Sequence, residues 1–421
     1  MSAQLSSTSP APPVQPMKNV GADLRADFVT AELVDDPAAA ESPAPPPAAY
    51  RSARVLIAQF GRAIGRTWDW LFGAASLIVA LAVVATIPIL QVLSLGYLLE
   101  ASGRVARSGR LRDGFVGVRQ AARAGSLALG LWLISLPLWL VSSLWSDARL
   151  IDPDSSTTRG WFVALLILSV LTVMHGIGAC LRGGRLRHFL WPRPIRFFRD
   201  FFQRNSYPRI RDAVWDFVVE MRLPYFFWLG LRGLVGAVAW LFIPVTMLAV
   251  ASRMQPGVGA LTGFIGGALL VLVLAHLPFL QARFAAENRL GVMFSLRENR
   301  RTFARAPLAF FIALTATLLL ALPLYLLKIE ILPREAAWLP SLLFVTSIFP
   351  ARLLVGWACG RARRREMPRH WFWRLGSRLA MLPVVSMYVL LVYFTQYLSW
   401  YGVWSLYEQH AFLLPVPFLG L

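Results

Sequence analysis

The chain has 421 residues, of which 57% are hydrophobic and only 15% are charged, whereas a soluble domain carries about 25% charged residues. This composition excludes an ordinary soluble fold. The net charge is +20, but the basic residues stand in short segments between apolar runs. We therefore attribute the charge to membrane topology and to contact with anionic lipid headgroups, and expect no nucleic-acid partner.

The N-terminal region divides into two segments. Residues 1–50 contain nine prolines and almost no apolar cluster, which predicts a disordered tail. Residues 51–69 mix four arginines with apolar residues such as Val55, Phe60 and Ile64. That mixture predicts an amphipathic helix lying at the membrane interface.

Apolar segments follow, each long enough to cross a hydrocarbon core of about 30 Å as an α-helix. They predict an all-α fold, a polytopic transmembrane helical bundle of about eight spans. The segments are 71–99, 124–146, 160–181, 225–250, 258–280, 308–327, 336–359 and 379–402.

The connecting segments alternate in arginine content. Four segments are rich in arginine: 100–123, 182–224, 283–306 and 361–378 contain six, ten, six and seven arginines. The loops that alternate with them, 147–159, 251–257 and 328–335, contain at most two arginines each. The positive-inside rule therefore orients the spans from 124 onward with the arginine-rich loops in the cytoplasm of a cell (inner) membrane. Cys180 and Cys359 lie at basic span ends, and no disulfide framework or CxxC metal motif is present.

The first apolar segment, 71–99, has two interpretations. If it crosses once, the N-terminal tail and its flanking arginines lie outside, against the usual bias. If it dips into the membrane and returns at Pro88, the N-terminus stays in the cytoplasm. Charge alone does not decide between them.

An internal duplication is indicated by five short matches in the same order along the chain, separated by 179 to 190 residues. It predicts two parallel four-span halves, 70–250 (with the basic loop 182–224) and 257–421, and it favours a first segment that crosses. The alternative is shared membrane composition without common origin. The matched positions are Pro88 and Pro278, Arg119 and Arg301, Pro137 and Pro323, Cys180 and Cys359, and His188 and His370.

Polar residues inside spans are the candidate functional residues, because a charge at mid-membrane costs about 2.5–3.5 kcal/mol. Four of them could line a shared cavity near the cytoplasmic side. The alternative is that the arginines reach the interface and the histidines satisfy helix contacts. The four are His175, Arg232, His276 and Arg352.

Two further patterns predict structure rather than chemistry. Gly259, Gly263 and Gly267 follow small-xxx-small spacing, which predicts a helix-packing face. Segments 195–204 and 209–222 have apolar residues at helical spacing, which predicts helices on the membrane surface.

No P-loop, HExxH, GxSxG or Asp-rich motif is present, so we expect no cofactor, no metal and no catalytic residue, and favour a protein that is not an enzyme.

The stretch PILQVLSLGYLL from Pro88 to Leu99, followed by Arg104 and a basic loop, resembles an uncharacterised multi-pass membrane family of bacteria and archaea, a domain of unknown function. The resemblance covers about residues 70–145, although the acidic residues and tryptophan of that family's next loop are missing. It implies a membrane location and no activity.

Two functional hypotheses remain. The first is a transporter or permease-like protein for a small or lipidic solute, with its path between the two halves. The second is a non-catalytic membrane scaffold or lipid-interacting protein. Partners would be the lipid bilayer, anionic headgroups at the cytoplasmic face and other membrane subunits. A lipid-modifying enzyme is the least supported reading.

Overall fold

The computed structural model of the chain describes residues 48–191, 206–326, 338–397, 402–408 and 410. Within these ranges the chain is helical and contains no β-strand. The chain divides into two compact units, residues 1–60 and residues 61–421. Of the first unit, the described residues 48–60 are helical.

The helices follow each other closely, and 3-10 helices at Leu111–Gly114 and Leu290–Phe294 precede the third and ninth. In chain order the α-helices are α1 (Ala48–Thr86), α2 (Gln91–Ser108), α3 (Val118–Ile151), α4 (Ser156–Leu181), α5 (Leu186–Leu190), α6 (Ser206–Glu220), α7 (Leu223–Ala251), α8 (Pro256–Glu287), α9 (Leu296–Arg305), α10 (Pro307–Leu326), α11 (Trp338–Arg363), α12 (Trp371–Thr395) and α13 (Ser405–Glu408).

Eight helical stretches in the described part of the chain are long and apolar enough to cross a membrane. Seven of them correspond to apolar segments of the sequence, and the first covers only the first part of segment 71–99. The predicted helical membrane bundle is confirmed. The chain is therefore a multi-pass integral membrane protein. The stretches are Gln59–Thr86, Val118–Ile151, Ser156–Leu181, Val214–Ala251, Pro256–Glu287, Pro307–Leu324, Leu339–Arg363 and Trp371–Thr395.

The outer surface of the bundle is apolar. Helices α3 and α4 pack on each other, and Trp139 and Leu150 of α3 are 70% and 83% exposed. A soluble protein does not tolerate so large an apolar surface in water. The hydrocarbon of the bilayer covers this surface.

The first apolar segment is not one helix. Helix α1 ends at Thr86, a turn occupies residues 87–90, and α2 begins at Gln91. Pro88 removes a backbone donor from this turn. Ile89 has a φ of 72°, a left-handed conformation that costs an L-residue about 1–2 kcal/mol. A regular helix therefore cannot continue through the turn.

Helices α1 and α2 form a hairpin. The Trp70 ring of α1 lies 4.9 Å from the Phe115 ring, and Val118 at the start of α3 is the nearest neighbour of Gly73. Phe115 follows the end of α2 within a few residues, so α2 ends close to the level of Trp70. Because α1 rises about 24 Å from Trp70 to Thr86 and α2 is about 27 Å long, the chain enters and returns. The single crossing that the duplication favours is not observed, and the alternative return at Pro88 describes the structure.

Helix α2 lies at the centre of the bundle, where α7, α8 and α11 pack around it. Fourteen of its 18 residues are buried. Gly356 of α11 packs against the Ser102 carbonyl, and Gly360 packs against the Val105 carbonyl. Residue numbers rise together in these pairs, so α2 and α11 run parallel.

The contact of α2 with α7 depends on two facing glycines. A Cβ on Gly96 would lie 1.7 Å from the Phe226 carbonyl oxygen, and one on Gly230 would lie 2.0 Å from the Val92 carbonyl oxygen. Here residue numbers run in opposite directions, so the two helices are antiparallel. Small residues allow this backbone-to-backbone approach, which stabilises helix pairs in membranes.

Glu100 is a buried carboxylate of α2, 4% exposed. Its Oε1 accepts hydrogen bonds from Nε of Arg104 and Nη2 of Arg107, both at 2.9 Å, and its Oε2 accepts one from the Tyr225 hydroxyl at 2.9 Å. Arg107 also donates to two carbonyl oxygens in the last turn of α8. One carboxylate therefore joins α2 to α7 and, through Arg107, to α8.

The arginine-containing connections meet at one end of the bundle, called here the arginine-rich end (residues 109–117, 288–306 and 364–370). Arg364 donates to the Ser108 carbonyl oxygen, and Arg369 N donates to the carbonyl oxygen of Ala304 at 2.9 Å. Arg363 of α11 pairs with Glu287 of α8 at 3.0 Å. The connections thus hold the helix ends together.

Two of these connections share one backbone conformation. Helix α2 is followed by Gly109 with φ 67° and α8 by Asn288 with φ 53°. An extended arginine, Arg110 or Arg289, comes next and then a 3-10 helix. These two similar connections occupy corresponding places in the two proposed halves, but the duplication itself stays a prediction.

The remaining predicted segments fall as follows. Residues 51–69 belong to the continuous helix α1, and residues 209–222 largely to α6, while 195–204 lies outside the described residues. In the glycine stripe, a Cβ on Gly259 would lie 2.6 Å from the Ala251 carbonyl oxygen, whereas Gly267 has no neighbour within 4 Å. Gly263 is in ordinary contact with Ala251, and Gly266 makes the second close approach.

Gly96→Ala should destabilise the bundle, because the added methyl group overlaps the α7 backbone. Overpacking of this kind costs about 1–3 kcal/mol or more. Thermal unfolding of the purified protein in detergent measures the effect. The matched control is Gly267→Ala, which adds a methyl group in open space; equal melting temperatures for the two variants would contradict the proposed contact.

Glu100→Gln should lower stability by about 2–3 kcal/mol, because Arg104 and Arg107 lose their carboxylate. This is below the 3–5 kcal/mol of a fully buried pair, since both arginines are partly exposed and regain water. The melting temperature in detergent reports the loss. Glu366→Gln, at an exposed residue, should leave that temperature unchanged, and the prediction fails if both variants behave alike.

Candidate functional site

His175 lies in the peripheral helix α4. Its Nε2 is 2.7 Å from the Phe189 carbonyl oxygen, and the protonated Nε2 donates to that oxygen. This bond attaches the short helix α5 to α4. His175 therefore makes a helix contact and lines neither of the cavities described below.

Arg232 lies in α7 and reaches the end of α8. Its Nη2 donates to Asn288 Oδ1 at 2.6 Å, and its guanidinium lies 6.0 Å from the Trp228 ring and 5.8 Å from the Phe284 ring. A cation at a helix C-terminus is favourable because the last carbonyl groups carry partial negative charge. Arg232 closes α8 rather than lining a cavity.

Arg352 lies in the packed core and is 3% exposed. Its Nη1 donates to the side-chain oxygen of Gln281 at 2.5 Å, which links α11 to α8. Gln281 is fully buried, and its amide nitrogen has no hydrogen-bond partner among the described residues. The pair forms a polar connection inside the bundle and does not line the cavities described below.

His276 lies in a cavity of about 600 Å³ between α8, α9, α10 and α12. It is the member of the predicted set of four that reaches this cavity. Its Nδ1 is 2.8 Å from the Leu272 carbonyl oxygen. When Nδ1 carries the proton and donates there, Nε2 remains as a hydrogen-bond acceptor.

The walls of the cavity are mostly apolar and come from three spans. The rings of Phe279 and Phe310 stack 4.2 Å apart. Along α8 the lining runs from Ala268 to Phe279, about 16 Å of helix. Leu272 and Leu382 also line the cavity and are 51% and 53% exposed. Both belong to membrane-crossing stretches, so the cavity opens sideways at membrane depth.

The rim at the arginine-rich end is cationic. Arg297 and Arg300 of α9 and Arg378 of α12 line it, and the lining includes no carboxylate. The Arg378 guanidinium lies 5.4 Å from the Phe303 ring. None of the three arginines forms an ion pair with another described residue. Their charge is available to an anion entering the cavity.

Helix α9 supplies cavity residues that the sequence analysis did not identify, because it counted only the arginines of this segment. Leu296, Asn299 and Phe303 recur at helical spacing and line the cavity, and Arg283 of α8 pairs with Glu298 on α9. The segment was interpreted as a loop because its arginines were counted for topology. The spacing of these three residues was the signal that could have revealed it.

A second, smaller cavity of about 120 Å³ lies at the same end. It is bounded by the start of α10 and by Arg361, Arg365, Arg369 and Trp373. The pKa of Arg365 lies below its ordinary value because of partial burial and because Arg369 and Arg361 repel its charge. Positive charge is therefore concentrated on this side of the bundle.

The chemistry available in the large cavity is set by its lining residues. Among the described residues, no group of three His, Cys, Asp or Glu side chains could hold a metal ion. The large cavity instead combines apolar walls with a cationic rim, and that pairing matches an amphiphile with an anionic head.

Comparison with family models, with curated proteins and with solved structures finds no match to this chain. The resemblance of residues 70–145 to an uncharacterised membrane family therefore stays a prediction.

Proposed function

We propose that this membrane protein binds an anionic lipid in the cavity between α8, α9, α10 and α12. The acyl chain lies against the apolar walls, and the headgroup lies at Arg297, Arg300 and Arg378. The observation that carries the proposal is an apolar cavity that has a cationic rim and opens sideways at Leu272 and Leu382. Of the two hypotheses, this supports the lipid-interacting protein.

The sideways opening favours a lipid over a soluble solute. A lipid already in the bilayer reaches the cavity without leaving the hydrocarbon, whereas a water-soluble solute has to cross apolar residues. Because bilayer and cavity are both apolar, the acyl chain gains little by the exchange. Selectivity therefore rests on the headgroup, where guanidinium groups donate charge-assisted hydrogen bonds to phosphate oxygens.

The proposed orientation has the arginine-rich end in the cytoplasm of a cell membrane. Short basic connections remain preferentially on that side. The α1–α2 hairpin supports the same orientation, since it leaves Arg62 and Arg66 at the end where the arginine-rich connections lie. The cavity rim then lies in the inner leaflet, where anionic lipids are available.

A permease-like role for a lipidic solute is the second candidate. The observation that favours it is the broken first segment, because interrupted helices are a recurrent feature of transporters. The buried bond between Arg352 and Gln281 lies close to α2 in the same core. A rate of lipid exchange between leaflets in proteoliposomes that exceeds protein-free vesicles would favour transport over binding alone.

Arg300→Gln combined with Arg378→Gln should weaken binding of an anionic phospholipid at least about tenfold. Tenfold corresponds to about 1.4 kcal/mol, less than the sum for two charge-assisted hydrogen bonds. Delipidated protein in detergent is given equal amounts of phosphatidylglycerol and phosphatidylcholine. Native mass spectrometry then measures the fraction that carries each lipid.

The matched control is Arg301→Gln, which removes the same charge from an exposed position of α9 outside the cavity lining. This variant should bind phosphatidylglycerol like the unchanged protein. Equal loss in the control and the double variant would mean that net charge, not the cavity, attracts the lipid. Equal binding of both lipids by the unchanged protein would refute the proposed function.

Cysteine labelling should place position 66 on the same side as position 113 and opposite position 154. Arg66→Cys, Asp113→Cys and Asp154→Cys are made singly in a chain with Cys180→Ser and Cys359→Ala. A membrane-impermeant maleimide should label the first two only in inverted vesicles and the third only in right-side-out vesicles. Labelling of position 66 together with 154 would rule out the hairpin.

A further inference from the structure

Asn299 is a polar residue of the cavity that the proposed lipid site does not yet use. It lies in α9, lines the cavity and is only 3% exposed. Its side-chain Oδ1 is buried and has no hydrogen-bond partner among the described residues. Buried polar atoms in folded proteins are almost always paired, and an unpaired one needs an explanation.

The missing partner has to be a hydrogen-bond donor. Oδ1 is an amide carbonyl oxygen and can only accept. The donors at the rim are the guanidinium groups of Arg297, Arg300 and Arg378, and none of them bonds to Asn299 in the structure. A bound molecule that carries its own donor would satisfy Oδ1 once a rotation of the Asn299 side chain turns this atom toward the cavity, since solvent does not reach the atom in the structure.

The charge of the rim restricts which donor fits. Three guanidinium groups line the same cavity as Asn299, and no carboxylate is among the lining residues. An ammonium headgroup would be repelled by these cations, since like charges in a poorly hydrated site repel strongly. A neutral hydroxyl donates without that penalty.

We infer that the preferred occupant is a phospholipid whose anionic headgroup carries a free hydroxyl group. Its phosphate oxygens accept hydrogen bonds from the rim arginines, and its hydroxyl donates to Asn299 Oδ1. This inference rests on the proposed lipid site and names the class of lipid that the site selects. The arginines distinguish anionic from zwitterionic lipids, and Asn299 distinguishes among anionic lipids.

A pair of lipids with equal charge tests the inference. Phosphatidylglycerol and phosphatidylpropanol carry the same phosphodiester charge and can have the same acyl chains, but the second has no headgroup hydroxyl. Offered equally to the delipidated protein in detergent, phosphatidylglycerol should be bound about fivefold more, the effect of one neutral hydrogen bond. Native mass spectrometry distinguishes the two by mass.

Asn299→Ala should remove this preference by weakening phosphatidylglycerol alone. Binding of phosphatidylpropanol should stay unchanged, which also shows that the variant is folded. Thr302→Ala is the matched control on the same helix: Thr302 Oγ1 donates to the Glu298 carbonyl oxygen at 2.8 Å, and Thr302 does not line the cavity. It should keep the full preference.

The outcomes separate the two proposals. If the unchanged protein binds neither anionic lipid, the proposed lipid site is wrong. If it binds both equally, the lipid site stands and the role of Asn299 is overturned. A preference that persists in Asn299→Ala overturns that role as well. Should Asn299→Ala fail to fold, the comparison of the two lipids on the unchanged protein still decides.

Discussion

A carboxylate buried among apolar helices is stable only if its charge is fully compensated, and the centre of this bundle is organised around that requirement. Glu100 receives hydrogen bonds from Arg104, Arg107 and Tyr225, which come from two helices. The same Arg107 holds the last turn of α8. Around this group α2 can be polar on one side and still occupy the core, because α7 supplies a donor and a glycine, α11 supplies two glycines, and α8 supplies carbonyl oxygens that accept from Arg107. The close approach at Gly96 and Gly230 brings the Tyr225 hydroxyl within reach of Glu100.

The spans could be predicted from the sequence because a membrane helix is set by local composition over about 20 residues. The division of the first segment could not be predicted with the same security. Pro88 marked the place where the chain could return, but proline is common inside spans here, and α8 and α10 continue through Pro278 and Pro323. Pro88 differs because the helix that follows it, α2, is held in the core by contacts with α7, α8 and α11. A local sequence pattern does not indicate such contacts. The matches used for the duplication pointed to the opposite answer, since they align Pro88 with a proline in an unbroken helix.

The four polar span residues stand out in the sequence, but their contacts depend on neighbours distant in sequence. Arg352 is paired with Gln281, Arg232 with Asn288 and His175 with a carbonyl of α5, and each such partner removes the group from a shared cavity. His276 retains an acceptor because α9 and α12 stand apart from α8 at its level. The cavity is formed where α8, α9, α10 and α12 pack together, and its cationic rim comes from α9 and α12. In the proposed orientation and lipid site these arginines would serve both topology and binding, whereas a count of arginines in the sequence indicates only topology.

The position of α2 has a consequence for how the chain enters the membrane. Successive apolar spans can be released into lipid as they are synthesised, but α2, with Glu100, Arg104 and Arg107 within two turns, has no favourable lipid-facing state on its own. Its compensating partners on α7, α8 and α11 are made more than a hundred residues later. We therefore expect α2 to remain at the translocation machinery or the membrane surface until the second part of the chain has been made. Assembly of this protein would then be a late, cooperative event that depends on a helix synthesised early.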